Sequence, residues 1–201
     1  SEVWTAGNTQ GASASIISED GILGYRIVGK YPSITGVGTA QEIIVKYVNV
    51  GTEKQPNWIS NFIPIYTITD FKNIRNNLSA TYVLMNDIVE TENFSSLNVF
   101  TPTVTWPQIG EFTGKIYGNN HTVSGVYINN AGRGTVGLIA TANGALIRDL
   151  GLIESKIQGV DHGAFAGGIC GYAENTTFLN CYNSAEVIGM VAGGITSKGY
   201  H

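Results

Sequence analysis

Val136-Gly137-Leu138-Ile139-Ala140, followed by Ile147-Arg148-Asp149-Leu150-Gly151-Leu152, is written a second time further along the chain. The second copy reads Gly167-Gly168-Ile169-Cys170-Gly171, followed by Phe178-Leu179-Asn180-Cys181-Tyr182-Asn183. Leu138 and Ile169 stand 31 positions apart, and so do Leu150 and Cys181. A third start, Gly193-Gly194-Ile195-Thr196, follows the second after 26 positions. Self-similarity at such a period marks a solenoid, in which no repeat can bury its apolar face without the next. The repeat therefore decides the fold class. Function has to be argued from sites carried on the scaffold.

Composition agrees with this reading. Charged residues make up 13% of the 201, about half the ~25% usual for soluble domains. The 26 glycines, with abundant Asn, Thr and Ser, suit short strands joined by tight turns in which positive φ is needed. A net charge of −4 with no Lys/Arg cluster excludes nucleic acid as a partner, since a basic face must replace the counterions. The longest apolar runs fall short of the ~18 to 20 residues that cross a bilayer, so no membrane insertion is expected. Ser1 does not open a charged and then apolar signal segment.

Upstream of the repeat, Ser13 to Ile17, Leu23 to Val28 and Glu42 to Val50 read as strands, with Asp20-Gly21 and Tyr31-Pro32 as turns. Residues 1–62 are thus a β-rich leading region or small module. Residues 63–201 form the solenoid. Within it, Thr69-Asp70 opens a capping helix over about 70–78. Asp70 is the expected N-cap, and Phe71, Ile74 and Leu78 share one face. Such a helix would cover strand edges at the open end of the first coil.

From Tyr82 onward strands follow closely, with Glu90 to Asn98 as a surface loop and Trp106-Pro107-Gln108-Ile109-Gly110 returning to the core. The run from Tyr82 through Asp87, the Trp106 block, Phe112-Thr113-Gly114, Gly118-Asn119-Asn120-His121-Thr122-Val123 and Val136-Gly137-Leu138-Ile139 closely resembles the GLUG-repeat family. The resemblance covers about residues 66 to 201. The chain departs from the family's Gly-Leu-x-Gly at Ala140, and reads Gly-Ile-Cys-Gly and Gly-Ile-Thr-Ser in the later repeats. The resemblance implies a right-handed parallel β-helix of a bacterial surface or secreted protein, with any catalytic activity residing elsewhere. The expected architecture is all-β: a right-handed parallel β-helix (solenoid) with a short capping helix and an N-terminal β region.

Strands of neighbouring coils lie about 4.8 Å apart, so ~5 coils would give a rod on the order of 25 Å tall. The expected inward positions are Ile116, Val123, Val126, Leu138, Leu150, Leu152, Ile157, Ile169, Phe178, Val187 and Ile195. Lys156 and Glu186, 30 positions apart, should stack on neighbouring coils and face solvent. Cys170 and Cys181 are expected on successive strands as reduced core residues, not as a disulfide framework. Asn77, Asn93, Asn120 and Asn175 head glycosylation sequons that matter only if the source glycosylates.

Catalytic chemistry finds little footing. Glycoside hydrolysis needs two carboxylates about 5 to 9.5 Å apart, and stacked coils would supply them only if acids recurred at the repeat offset. Asp149 instead aligns with Asn180, and Glu154 with Ser184. A lyase would want carboxylates and a base on one face. Asp161-His162, with Arg148 and Asp149, comes nearest, yet Asp161 to Ala164 read as a solvated bulge. His121 reads as structural after its Asn119-Asn120 turn.

No calcium-loop or His-x-x-His spacing occurs, and Glu90 with Glu92 would make a weak calcium site. Thr is too scattered for an ice-binding ladder. No catalytic, cofactor-binding or metal site is assigned, and no cofactor is expected. The leading function is a non-catalytic extracellular or cell-surface module, a stalk or an adhesin. Its expected partners are other copies of itself, the rest of a longer surface protein, glycans or a host surface.

The alternative is a carbohydrate-binding or carbohydrate-active β-helix, lyase-like, hydrolase-like or of the phage tail-fibre kind. Trp58, Trp106 and Tyr127 are the aromatics to watch, and Trp106 is expected in the core. The pattern breaks off in mid-coil after Ile195. Further chain, the first 60 residues or another subunit could cover that end, and the reading favours head-to-tail assembly with another subunit.

Overall fold

The computed structural model describes residues 13–19, 22–30, 40–91, 106, 109–130, 134–159 and 163–200. The chain divides into two compact units, Ser1–Asn61 and Phe62–His201. The first is an antiparallel sheet in which Ser13–Glu19, Ile22–Lys30 and Ala40–Asn49 pair in sequence order, with Trp58–Ile59 as a short fourth strand. Three runs of β-branched and aromatic residues joined by short connections make a meander the simplest way to pair every ladder.

The second unit is a parallel β-solenoid. Each complete coil contributes five short strands, and corresponding strands of successive coils pair in parallel to form five faces. The middle coil shows the plan: Leu146–Arg148, Gly151–Ile153, Lys156–Gly159, Phe165–Gly167 and Cys170–Glu174 lie on the first to fifth faces. The preceding coil runs from Lys115 to Asn143, and the following coil from Thr177 to Tyr200. Before them stands a leading coil represented by Thr81–Leu84, Ile88–Val89 and Ile109–Phe112. Among the described residues there are three complete coils. The expected five was too many because residues 63–112 supply a cap and one leading coil in place of two regular repeats.

The register carries the repeat literally. Ile139 pairs with Cys170 and Gly151 with Tyr182, both at the offset of 31, and Cys170 pairs with Thr196 at 26. Inward columns follow, Ile116 beneath Ile147 and Phe178 on the first face, and Ile128 beneath Ile157 and Val187 on the third. Ile116, Val123, Val126, Leu138, Leu150, Leu152, Ile157 and Ile169 are completely buried. Phe178, Val187 and Ile195, expected in the same class, are only partly covered because no described coil lies beyond theirs.

Corners must satisfy backbone groups that have turned away from the ladders. Ser155 Oγ donates to the Ile153 carbonyl (2.7 Å) and accepts from the Val126 amide of the coil before (3.0 Å). Thr176 repeats the device at the corner between the fifth and first faces, donating to the Glu174 carbonyl (2.8 Å) and accepting from the Ala145 amide (3.4 Å). Buried hydroxyls are therefore explained by position.

The cap begins earlier than expected. The helix spans Ile68–Lys72 and continues as a 3-10 turn over Asn73–Asn76. Thr67, extended at φ −131, is the N-cap, and Asp70 is the third helical residue that completes a capping box. Asp70 Oδ2 accepts from the Thr67 amide (2.9 Å) while Thr67 Oγ1 accepts from the Asp70 amide (3.1 Å). An acid three residues after a threonine has two capping readings, and here the reciprocal one satisfies an additional amide. Phe71 and Ile74 are buried in the solenoid core, and Leu78, beyond the helical turns, packs partly against it.

Candidate functional site

Glu90, read as the start of a surface loop, is completely buried and paired with Lys72 Nζ of the capping helix. Lys72 also lies 5.6 Å from the centre of the Trp106 ring, which in turn is 6.1 Å from Phe71. A carboxylate cannot be buried at reasonable cost without such a partner. This cluster fastens the cap to the leading coil, and Glu90 is not available to calcium. Residues 92–105, including Glu92 and Asn93, lie outside the described residues, as do Asp161 and His162.

Polar side chains collect along one edge of the solenoid, the corner where the first face turns into the second. In the three complete coils it is made by Gly118-Asn119-Asn120-His121, Asp149-Leu150 and Asn180-Cys181, and in the leading coil by Asn86-Asp87. Asn119, Asn120, Asp149 and Asn180 all have φ between 52 and 65. Asn and Asp tolerate this left-handed conformation better than other non-glycine residues. At Gly118 no side chain fits, since a Cβ would lie 2.3 Å from the Asp149 carbonyl oxygen.

The side chains of this corner bond from coil to coil. Asp149 Oδ1 accepts from Asn180 Nδ2 (3.0 Å) and Oδ2 from Arg148 Nε (2.6 Å). Asp87 Oδ1 accepts from the Thr122 amide (2.8 Å) and the Thr122 hydroxyl (3.3 Å), and lies 3.3 Å from His121 Nδ1. The amide of Thr122, helped by His121, holds the Asp87 carboxyl below its usual range, so it is charged at neutral pH. His121 thus has an Asp partner that the sequence reading did not foresee. The Asp87 side chain is 65% exposed.

Next to this corner Tyr182 stands on the second face, 52% exposed. Its counterpart in the coil before is Gly151. A Cβ on Gly151 would lie 2.4 Å from Tyr182 Cζ and 2.6 Å from its hydroxyl oxygen, so the glycine makes room for the tyrosine to lie along the sheet. The three aromatics singled out from sequence fare differently. Trp58 is exposed, and Trp106 is buried with Nε1 donating to the Leu138 carbonyl (3.2 Å). Tyr127 shares the outward row with Lys156 yet is covered. Tyr182 was missed, although aligning the chain at the offset of 31 sets an aromatic against a glycine.

Lys156 and Glu186 occupy neighbouring coils in the expected register, with Nζ and Oε2 3.1 Å apart. Only Glu186 is well exposed, since the Lys156 side chain is mostly covered. Cys170 and Cys181 are free thiols. Cys170 opens the strand Cys170–Glu174, whereas Cys181 lies at the corner before Tyr182. They are therefore not on successive strands. Burial pushes the Cys170 thiol up to about 12 and raises Cys181 as well. Among the described residues no three His, Cys, Asp or Glu side chains gather as a metal site.

No family model matches the chain, and no solved structure matches it. Over 91 residues, 44% of the chain, it is 34% identical to Halomucin of Haloquadratum walsbyi. That match spans 1% of Halomucin. The solenoid fold and this partial similarity are compatible with a surface module. No helix among the described residues is long and apolar enough to cross a membrane.

Proposed function

We propose that the chain is a non-catalytic surface module, a stiff extracellular spacer or adhesin unit of the kind expected from its resemblance to GLUG repeats. The observation that carries this reading is the use made of charge. Lys156 with Glu186, Asp149 with Asn180 and His121 with Asp87 tie successive coils together, Lys72 with Glu90 fastens the cap to the leading coil, and Arg148 holds its neighbour Asp149. Hydrolysis of a glycosidic bond requires two carboxylates facing one substrate, and at the polar corner Asp149 meets Asn180. The similarity to part of Halomucin supports a surface location.

The edge of the last coil belongs to the same reading. Leu179, Ile188, Met190 and Val191 are exposed there, and Phe178, Val187 and Ile195 are half covered. A further coil, following in the same chain or supplied by another copy, would cover Phe178, Val187 and Ile195. Protease treatment of intact source cells, followed by antibody detection of this chain, tests the location. Digestion without lysis is expected. Full protection until the cells are broken would overturn the proposal.

A further inference from the structure

Four consecutive layers of the second face place Asp87, Thr122, Gly151 and Tyr182 in one row. The backbone pairs Thr122 with Gly151 and Gly151 with Tyr182, and the Asp87 carboxylate is bonded to Thr122. We propose that this row, from the Tyr182 ring to the Asp87–His121 pair, is a binding strip for a neutral oligosaccharide. The inference deepens the surface-module reading by naming what the module would hold.

The chemistry at the two ends of the row suits a sugar. Tyr182 reaches over Gly151 so closely that a Cβ there would meet the ring and its hydroxyl, yet the tyrosine remains more than half exposed. An aromatic ring laid along a sheet with one face in water offers a platform for the apolar C–H face of a pyranose. At the other end, the hydrogen bonds described for the Asp87 carboxylate converge on Oδ1. Oδ2 of this exposed carboxylate is left to accept from a sugar hydroxyl, and a charged acceptor makes the stronger bond. The His121 Nδ1 contact with Asp87 fixes that imidazole and leaves its Nε2 for a second hydroxyl.

Spacing and charge narrow the ligand. Two inter-coil steps of about 4.8 Å separate Asp87 from the layer over which the tyrosine lies, so ~10 Å divides carboxylate from ring, room for about two sugar units. Asp87 would repel a uronate or a sialic acid. The guanidinium of Arg148, which could have attracted one, is already held by Asp149 at 2.6 Å. The row thus favours uncharged sugars.

The test is a glycan array carrying neutral gluco-, galacto- and manno-oligosaccharides beside oligouronates, with calorimetry on the hits. The full chain should bind at least one neutral probe. Tyr182→Ala and Asp87→Asn should each weaken it about tenfold or more, while Tyr182→Phe, which keeps the ring face, should stay within about threefold. An unchanged far-ultraviolet spectrum for these exposed-site variants separates lost binding from lost structure. Binding to oligouronates alone, no neutral hit, or a neutral hit unaffected by both substitutions would overturn the strip. Failure here with the chain still at the cell surface would leave the surface module standing.

Discussion

The middle coil and the last coil present the same columns of side chains in two different situations. Ile147, Leu150, Leu152 and Ile157 of the middle coil are completely buried between layers. Their counterparts Phe178, Cys181, Asn183 and Val187 have a layer on one side only, and all are at least partly exposed. The difference shows that burial in a solenoid belongs to the interface between coils and not to the residue, as expected when stability is a sum of nearest-neighbour terms. Asn183 makes the point chemically. It stands in the column of Val123 and Leu152, and exchanges two hydrogen bonds with the Ala185 backbone (3.4 and 3.0 Å).

The largest effect that would sharpen this contrast comes from one column. Ile157→Ala should cost roughly 2 to 5 kcal/mol, the range for a fully packed aliphatic chain, whereas Val187→Ala, with one covered side, should cost about 1 kcal/mol or less. Urea denaturation midpoints decide, and equal costs would break the comparison. Next in size is the cap. Lys72→Met removes the cation that faces Glu90 in the core, and removing one partner of a buried pair costs about 3 kcal/mol. The double variant with Glu90→Leu should recover much of that loss. A double variant no better than the single would show that Glu90 is held mainly by other groups.

The repeat was legible because it is written in backbone-determining residues, glycines and Asn/Asp at corners with apolar residues between them. An offset of 31 found in sequence reappears as Ile139 opposite Cys170. What escaped was anything decided between coils. Nothing local marks Glu90 as buried, because its partner Lys72 sits on a different element. Asp87 and His121 are 34 positions apart and meet only because the leading coil is longer than the repeat. Tyr182 reads as one more apolar residue until Gly151 is placed beside it. The cap shifted by a few residues because Thr67 and Asp70 satisfy each other's amides, a reciprocity that composition does not reveal.

Smaller effects refine the same picture. Asp87 has a lowered pKa in the folded chain, so its bonds add stability above its unfolded value, and that stability is lost as pH falls through the folded value. Asp87→Asn should therefore lower the thermal midpoint slightly at neutral pH, and the gap should close in acid. A gap that widens in acid would reverse the sign. Smallest of all is the Lys156 and Glu186 pair, for which a double-mutant cycle should return at most ~1 kcal/mol, less in high salt.

Hydrogen exchange followed by mass spectrometry tests the layered account most directly. Amides of 146–159, paired on both sides, should exchange slowly and together, while those of 177–188, paired on one side, should exchange much faster through local opening. Equal protection of the two segments in the isolated chain would contradict the claim that each coil is held by its neighbours.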